Sequence, residues 1–321
     1  MKKRLPITLL FFGFLCWSCN PKHGHVENLL IKGSDTEVNL ALTLAETYMM
    51  EDPDISIAIT GGGSGAGIAA LINGKTSIAN SSRAMKVEEL VMANERGVYP
   101  LATVLGIDAI AIIVQEDCPL NEISKHQLAA IYSGRLNNWK YLGGSDDEIS
   151  LYGRQSNSGT FVYFRDSIVQ AEYASDVKQM NGTAQIVEAI KNDRHGIGYV
   201  GVGYVQENKN QSHQGFKVLA VKATDQSPAY LPTLASNIEN GTYPITRPLF
   251  QYTNGHPKGK LRQFLRYCLS AEGQALVKES GYFPVTKAYW KQNEQALVMG
   301  QNDHLFFYRP LNFKYANAST H

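Results

Sequence analysis

The sequence predicts an α/β fold, and three observations predict it. Strand-like and helix-like apolar patterns alternate along the 321 residues, the arrangement of sheets flanked by helices. Hydrophobic residues make up 44% and charged residues 18%, which supplies a large core and excludes a disordered, collagen-like or coiled-coil chain. Three strand–turn–helix junctions carry turns rich in Gly and hydroxyl residues. The alternation argues for largely parallel sheets.

The elements follow in order. Leu29 to Ile31 is a short apolar strand, and Leu40, Leu44 and Tyr48 recur every fourth position, the stripe of a helix over Val38 to Met50. Asp52-Pro53-Asp54 stops that helix, and Ile55 to Ile59 alternates as a half-buried strand. A helical piece (Ile68 to Ile72), a short strand (Ser77 to Asn80), a helix (Val87 to Arg96) and a buried strand (Ala109 to Val114) come next. Ser124 stands three before Gln127, a capping-box spacing ahead of a helix at Leu128 to Tyr132. Ile149 to Tyr152 leads into a loop and a helix from Phe161 to Val169. Strands are expected at Gly196 to Val200 and Phe216 to Val221, and a helix at Leu261 to Leu269.

The N-terminus reads as a secretory signal peptide over residues 1–18. Lys2, Lys3 and Arg4 precede an apolar run to Trp17 that is too short to span a bilayer. Small Ser18 before Cys19 resembles the cleavage site of bacterial lipoproteins, so Cys19 is the expected lipidation site and 19–27 a tether. Cleavage removes three cations and no acid, taking the formal charge from +1 to −2. Any bound anion must then be held by local groups. No basic run marks a nucleic-acid binder, so no nucleic acid is expected as a partner. Cys118 and Cys268 fit neither a disulfide framework nor metal spacing, and both are expected buried and free; no metal and no cofactor is expected.

The chemistry lies in the three junctions: Gly33-Ser34-Asp35-Thr36, Gly61 to Gly65 with Gly63 and Ser64, and Arg154 to Thr160 with Ser158, Gly159 and Thr160. A helix start exposes unpaired N–H groups and the positive end of the dipole. Glycine admits a ligand to that backbone and hydroxyls add donors, which together make an anion site. Arg154 adds a fixed cation whose planar fork suits a tetrahedral oxyanion. Taken singly, Ser34 and Thr36 also read as helix caps, and Asp35 either caps its helix or offers an acceptor to a protonated anion.

Three enzyme patterns come close and fall short. Gly61-x-Gly63-x-x-Ala66 lacks the acid that holds a ribose, and Gly74-Lys75-Thr76 has Ala69 where a Walker loop needs glycine. Ser64 approaches a nucleophile elbow, with His195, His213 and His256 as the bases of a rival reading as a secreted serine hydrolase. The preferred reading is not an enzyme.

Several phrases together resemble the substrate-binding proteins of phosphate-specific ABC transporters. They are Gly61 to Gly67, Ala79 to Arg83, Asp108 to Val114, Tyr132 to Trp139, Arg154 to Thr160, Gly196 to Val200 and Tyr243 to Phe250. The likeness runs from Leu29 to Tyr282. It implies a two-lobed type II periplasmic-binding-protein fold with a hinge and an interlobe cleft. Lobe 1 would hold residues 28–106 plus 215–290 and lobe 2 residues 107–214, with 291–321 an extension of unknown role. It implies capture of phosphate and delivery to a membrane permease by a monomer anchored outside the cytoplasm. Ser64, Arg154, Ser158, Gly159, Thr160 and Thr36 would hold the anion. Ser82 departs from the family, whose best-known members have aspartate there, and Ser156 likewise replaces an acid. Sulfate, molybdate or tungstate is the alternative ligand on the same fold.

Overall fold

The computed structural model describes residues 26–206 and 215–298. The signal peptide, Cys19, the boundary at Gln214 and the aromatic run Leu305 to Tyr308 lie outside the described residues. In chain order the elements are β1 (Glu27–Gly33), α1 (Val38–Glu51), β2 (Ile55–Thr60), α2 (Ser64–Ile72), β3 (Ile78–Ser81), α3 (Val87–Glu95) and β4 (Pro100–Gln115). Then come β5 (Glu122–Ser124), α4 (Lys125–Tyr132), β6 (Ser150–Arg154), α5 (Gly159–Phe164), β7 (Lys178–Met180), α6 (Thr183–Lys191), β8 (Gly196–Gly201) and α7 (Gly203–Gln206). The last are β9 (Phe216–Lys222), β10 (Ala229–Tyr230), α8 (Ala235–Glu239), β11 (Thr246–Asn254), α9 (Gly259–Cys268), α10 (Ala271–Glu279) and α11 (Lys287–Val298).

The fold is the two-lobed α/β architecture expected. The strand order is β2-β1-β3-β11-β4-β8-β6-β7, with β9 along the other edge of β4. The outer pairs β1–β2, β1–β3, β6–β7 and β6–β8 are parallel. The pairs made by β4 and β11 are antiparallel, so the sheet is mixed where the sequence suggested largely parallel. The reason is the crossover: the chain runs out of the first lobe along β4 and returns along β11. Up to Ala109, β4 pairs with β11; from Ile110 onward it pairs with β8. Ile110 N–H donates to Ile245 O at 2.9 Å and Tyr243 Oη donates to Ile110 O at 2.5 Å, which ties both crossing segments together.

Two boundaries differ from expectation. β9 pairs with residues 112–115 of β4 and with β5, so 216–222 sits with the middle of the chain rather than with its ends. The segment from Lys291 begins inside α11, which packs on β4. The register of β4 against β11 slips between Leu249 and Phe250, a bulge at Leu105. Asn293 is buried there, donating to Val104 O and accepting from Val104 N–H, both at 2.8 Å. Its amide satisfies both backbone groups of Val104 beside the bulge.

Helix starts follow the local chemistry. Ser124 caps α4 by accepting from Gln127 N–H while Gln127 answers on Ser124 N–H, the box read from the sequence. The helix expected at Phe161 to Val169 is six α-helical residues followed by a π turn over Arg165–Val169. Leu40, Leu44 and Tyr48 are buried as their spacing required. Cys118 and Cys268 are buried and free, and burial pushes both thiols up. Among the described residues no helix is long and apolar enough to cross a membrane, and no cluster of metal-ligating side chains occurs.

Candidate functional site

The site assembles at the carboxyl ends of the parallel strands, where an open α/β sheet presents its loops. From the first lobe come Ser34-Asp35-Thr36 after β1, Gly61 to Ser64 after β2, and Ser82 after β3. From the second comes the loop after β6, which leads to Ser158, Gly159 and Thr160 at the start of α5. Ser34, Thr36, Ser64, Ser82, Arg154, Ser158 and Thr160 are all buried.

The hydroxyls form two groups. Ser34 Oγ donates to Ser82 Oγ at 3.0 Å, and Ser82 Oγ lies 3.4 Å from Ser64 Oγ. Ser64 Oγ also accepts from Ser82 N–H at 3.1 Å. Across the lobes, Thr36 Oγ1 and Thr160 Oγ1 are 2.9 Å apart. Gly159 lies between these groups. A Cβ there would overlap Ser64 Oγ and stand 2.7 Å from Ser82 Oγ, so a side chain at 159 is excluded by contact with the opposite lobe. Gly63 sits at φ 88° with its open side on Asn157 O, a left-handed conformation that suits glycine. Asn157 closes this seam, accepting from Gly65 N–H and donating to Gly62 O, both at 2.9 Å.

One of the expected roles changes. Asp35 does not cap α1: the capping position is Glu37, with no side-chain cap bond. Asp35 Oδ1 instead accepts from Gly62 N–H at 2.8 Å, and Oδ2 accepts from Arg154 Nη2 across the lobes. Asp35 thus supplies, from the facing lobe, the acid that Ser156 does not. Ser158 caps α5, accepting from Thr160 N–H at 3.2 Å. Its acceptor side is spent inward, which leaves its own O–H as the donor.

Arg154 is held almost completely by protein. Nη1 donates to Thr183 Oγ1 at 2.8 Å, Nη2 to Asn181 O at 3.0 Å and Nε to Met180 O at 3.3 Å. Tyr199 and Phe164 stack on each other at 4.1 Å, and Tyr199 Oη accepts from Arg154 N–H at 3.4 Å. Burial pushes the Tyr199 phenol up to about 12, so it stays neutral beside the cation.

A second cation was not singled out in the sequence. Arg247 stands directly opposite Asp108 in the β11–β4 register, and Nε and Nη2 both donate to Asp108 Oδ2, at 3.0 and 2.8 Å. Nη1 donates to Ser82 O at 3.0 Å, and Nη2 reaches Thr160 Oγ1 at 2.9 Å and Thr36 Oγ1 at 3.4 Å. Burial raises the Asp108 carboxyl above its ordinary range, with Arg247 opposing that shift. Arg247 lies 139 residues from Asp108, so only the antiparallel pairing of the crossing strands brings them together. The phrases Asp108 to Val114 and Tyr243 to Phe250 were the available signal.

Among the described residues Ser64 is engaged by Ser82 and no histidine bonds it; His213 lies outside the described residues. Among the described histidines, His195 pairs with Asp147 and His126 with Asp225.

Comparison with known proteins agrees with this geometry. A family model described as the PBP superfamily domain matches residues 20–272. The phosphate-binding protein PstS of Pseudomonas aeruginosa is 33% identical over 276 residues, covering 80% of this chain and 83% of that protein. The chain belongs to the PstS group of the PBP superfamily. Another PstS-group relative, the phosphate-binding protein PstS of Bacillus subtilis, is 32% identical over 262 residues, covering 81% of each chain. A crystal structure from Clostridium perfringens, described as a phosphate ABC transporter substrate-binding protein with bound phosphate, superposes with a TM-score of 0.70. It is 27% identical and covers 81% of this chain and all of that one.

Proposed function

We propose that this chain captures inorganic phosphate between its two lobes and delivers it to the membrane permease of an ABC transporter. The observation that carries the reading is the convergence of Thr36, Ser64 and Ser82 from one lobe with Gly159 and Thr160 from the other, between two buried arginines. Hydroxyls that bond one another across the lobes exchange those bonds for bonds to a tetrahedral oxyanion, which then bridges both lobes and stabilises closure. The proposed ligands are Ser34, Thr36, Gly63, Ser64, Ser82, Arg154, Ser158, Gly159 and Thr160, with Asp35 as the partner of Arg154. Calorimetry of the mature protein against phosphate, sulfate, molybdate and tungstate tests the reading; phosphate should bind tightest, and a tighter sulfate or molybdate would replace it with the alternative ligand.

The strand pairing supports lobes that exchange at Ala109 and again near Tyr243. Saturating phosphate should reduce the radius of gyration and raise Tm through linkage. Tight binding with an unchanged scattering profile would mean a rigid site without hinge motion.

Asp35→Asn should weaken phosphate binding by roughly three- to tenfold, the scale of one hydrogen bond, because Arg154 loses the carboxylate that holds its guanidinium in place, a loss partly offset by the removal of a negative charge beside the anion. If Asp35 acts only by holding Arg154, the phosphate-to-sulfate ratio should change little. A ratio that collapses in this variant would return Asp35 to the role of acceptor for the phosphate proton.

Ser18-Cys19 supports a lipid anchor that holds a monomer at the outer face of a membrane. Cys19→Ala should release the protein from the membrane fraction. An unmodified N-terminus on the native protein, seen by mass spectrometry, would remove the anchor.

A further inference from the structure

The start of α2 carries a contact that anion capture, as described above, does not use. The capping position of α2 is Gly63, which has no side chain to accept from the first turn. A helix start leaves N–H groups that must find partners elsewhere. One of them, Gly65 N–H, donates to Asn157 O at 2.9 Å, and Asn157 belongs to the opposite lobe. The side chain of the same residue reaches back, its Nδ2 donating to Gly62 O at 2.9 Å. A helix of the first lobe is thus capped by a carbonyl of the second, and the turn before it is held by the same residue.

Glycine makes this approach possible. The left-handed φ of Gly63 explains that residue by itself, but Gly65 has no such conformation and lies within α2, where a glycine costs backbone entropy. A Cβ at Gly65 would stand 3.1 Å from Asn157 O, closer than an ordinary contact. Room for Asn157 is therefore the physical reason for a glycine at 65. Asn157 itself is exposed at the rim, whereas Ser158, Gly159 and Thr160 beside it are buried in the anion site. Its carbonyl and amide N–H are spent on the loop at 62–65, so these two bonds join the lobes without passing through the anion.

We propose that Asn157 is a positioning residue for closure: it caps α2 across the cleft once the lobes meet, and so slows the release of the enclosed oxyanion. The inference rests on the capture reading, from which it takes the oxyanion and the parting of the lobes. When the lobes part, Gly65 N–H and Gly62 O return to water, so the two bonds weigh on the closed state alone. They form after the anion has entered and act on its departure, not on its arrival. They also do not sense which anion is enclosed, so phosphate and sulfate gain by one common factor.

The test compares Asn157→Ala and Gly65→Ala with the wild type, by calorimetry and stopped-flow kinetics with phosphate and sulfate and by thermal unfolding without anion. Asn157→Ala deletes the Nδ2 bond at an exposed position and strands no buried group, so Tm without anion should stay where it is. Both anions should bind roughly three- to tenfold more weakly, by one common factor, through a faster koff at unchanged kon. Gly65→Ala should move two readouts in opposite directions. Alanine favours the helix, so Tm without anion should be the same or higher. Its Cβ presses on Asn157 O in the closed state, so affinity should fall on the same scale. A merely structural contact would move stability and affinity together. Unchanged affinity in either variant, a lower Tm without anion, a shifted phosphate-to-sulfate ratio, or a slower kon in place of a faster koff would each overturn the proposal. A wild type that binds neither anion would remove the capture reading itself, and this inference with it.

Discussion

Arg154→Ala is expected to weaken phosphate binding by about 2–5 kcal/mol, or about 30-fold to several thousand-fold, the usual result of breaking a buried hydrogen-bonded charge pair. Arg154 is the cation that ties the second lobe to Asp35 in the first, so the variant loses attraction for the anion and a latch between lobes. Thermal unfolding without anion should change less, because Asp35 regains water once the lobes part. Arg154→Lys should recover only part of the loss, since one ammonium cannot reach Asp35, Asn181 O, Met180 O and Thr183 together. An alanine variant with wild-type affinity would remove Arg154 from the site.

Arg247→Ala is expected to act first on stability. It strands Asp108 at zero exposure, and removing one partner of a buried ion pair costs about 3–5 kcal/mol, or roughly 6–20 °C in Tm for a chain of this size. The loss should depend on pH in a fixed direction. Burial raises the Asp108 carboxyl even with Arg247 present, and the variant raises it further. A raised carboxyl keeps its proton in the folded state over a window where the unfolded chain has lost it. The native state is therefore favoured at low pH and loses ground as pH rises through that window. The stability deficit should be small near pH 5 and large near pH 8, as denaturant unfolding at both values would show. An equal deficit at both would mean that Asp108 stays ionised without its partner.

Much of the fold was legible because its signals are local. Leu40, Leu44 and Tyr48 announce α1 by spacing alone, and the Ser124–Gln127 pair announces α4 by cap chemistry. The turns at Gly63 and Ser158 to Thr160 were legible for the same reason, being defined by conformation and hydroxyl content within a few residues. What stayed hidden depends on distant pairing. β4 runs for 16 residues, yet only its later, uniformly apolar part read as a strand, because Pro100 to Asp108 shows neither alternation nor a continuous apolar run. The bond between Asp35 and Arg154 could not be read because the two lie 119 residues apart, in different lobes. Arg247 could be read only after β11 had been laid beside β4. Asn293 was invisible as a partner of Val104 because the two lie 189 residues apart.

The central claim is that hydroxyls from both lobes close on one tetrahedral anion between Arg154 and Arg247. Calorimetric titration of the mature wild-type chain with phosphate, run beside Thr160→Val, measures this most directly. Thr160 lies in the second lobe but bonds Thr36 and Arg247 of the first, and valine keeps its shape while removing the hydroxyl. One phosphate per chain in the wild type, bound at least tenfold more weakly by the variant, is the predicted result, on the scale of one hydrogen bond to a charged ligand. Phosphate that fails to bind, or that binds both proteins equally, would contradict it.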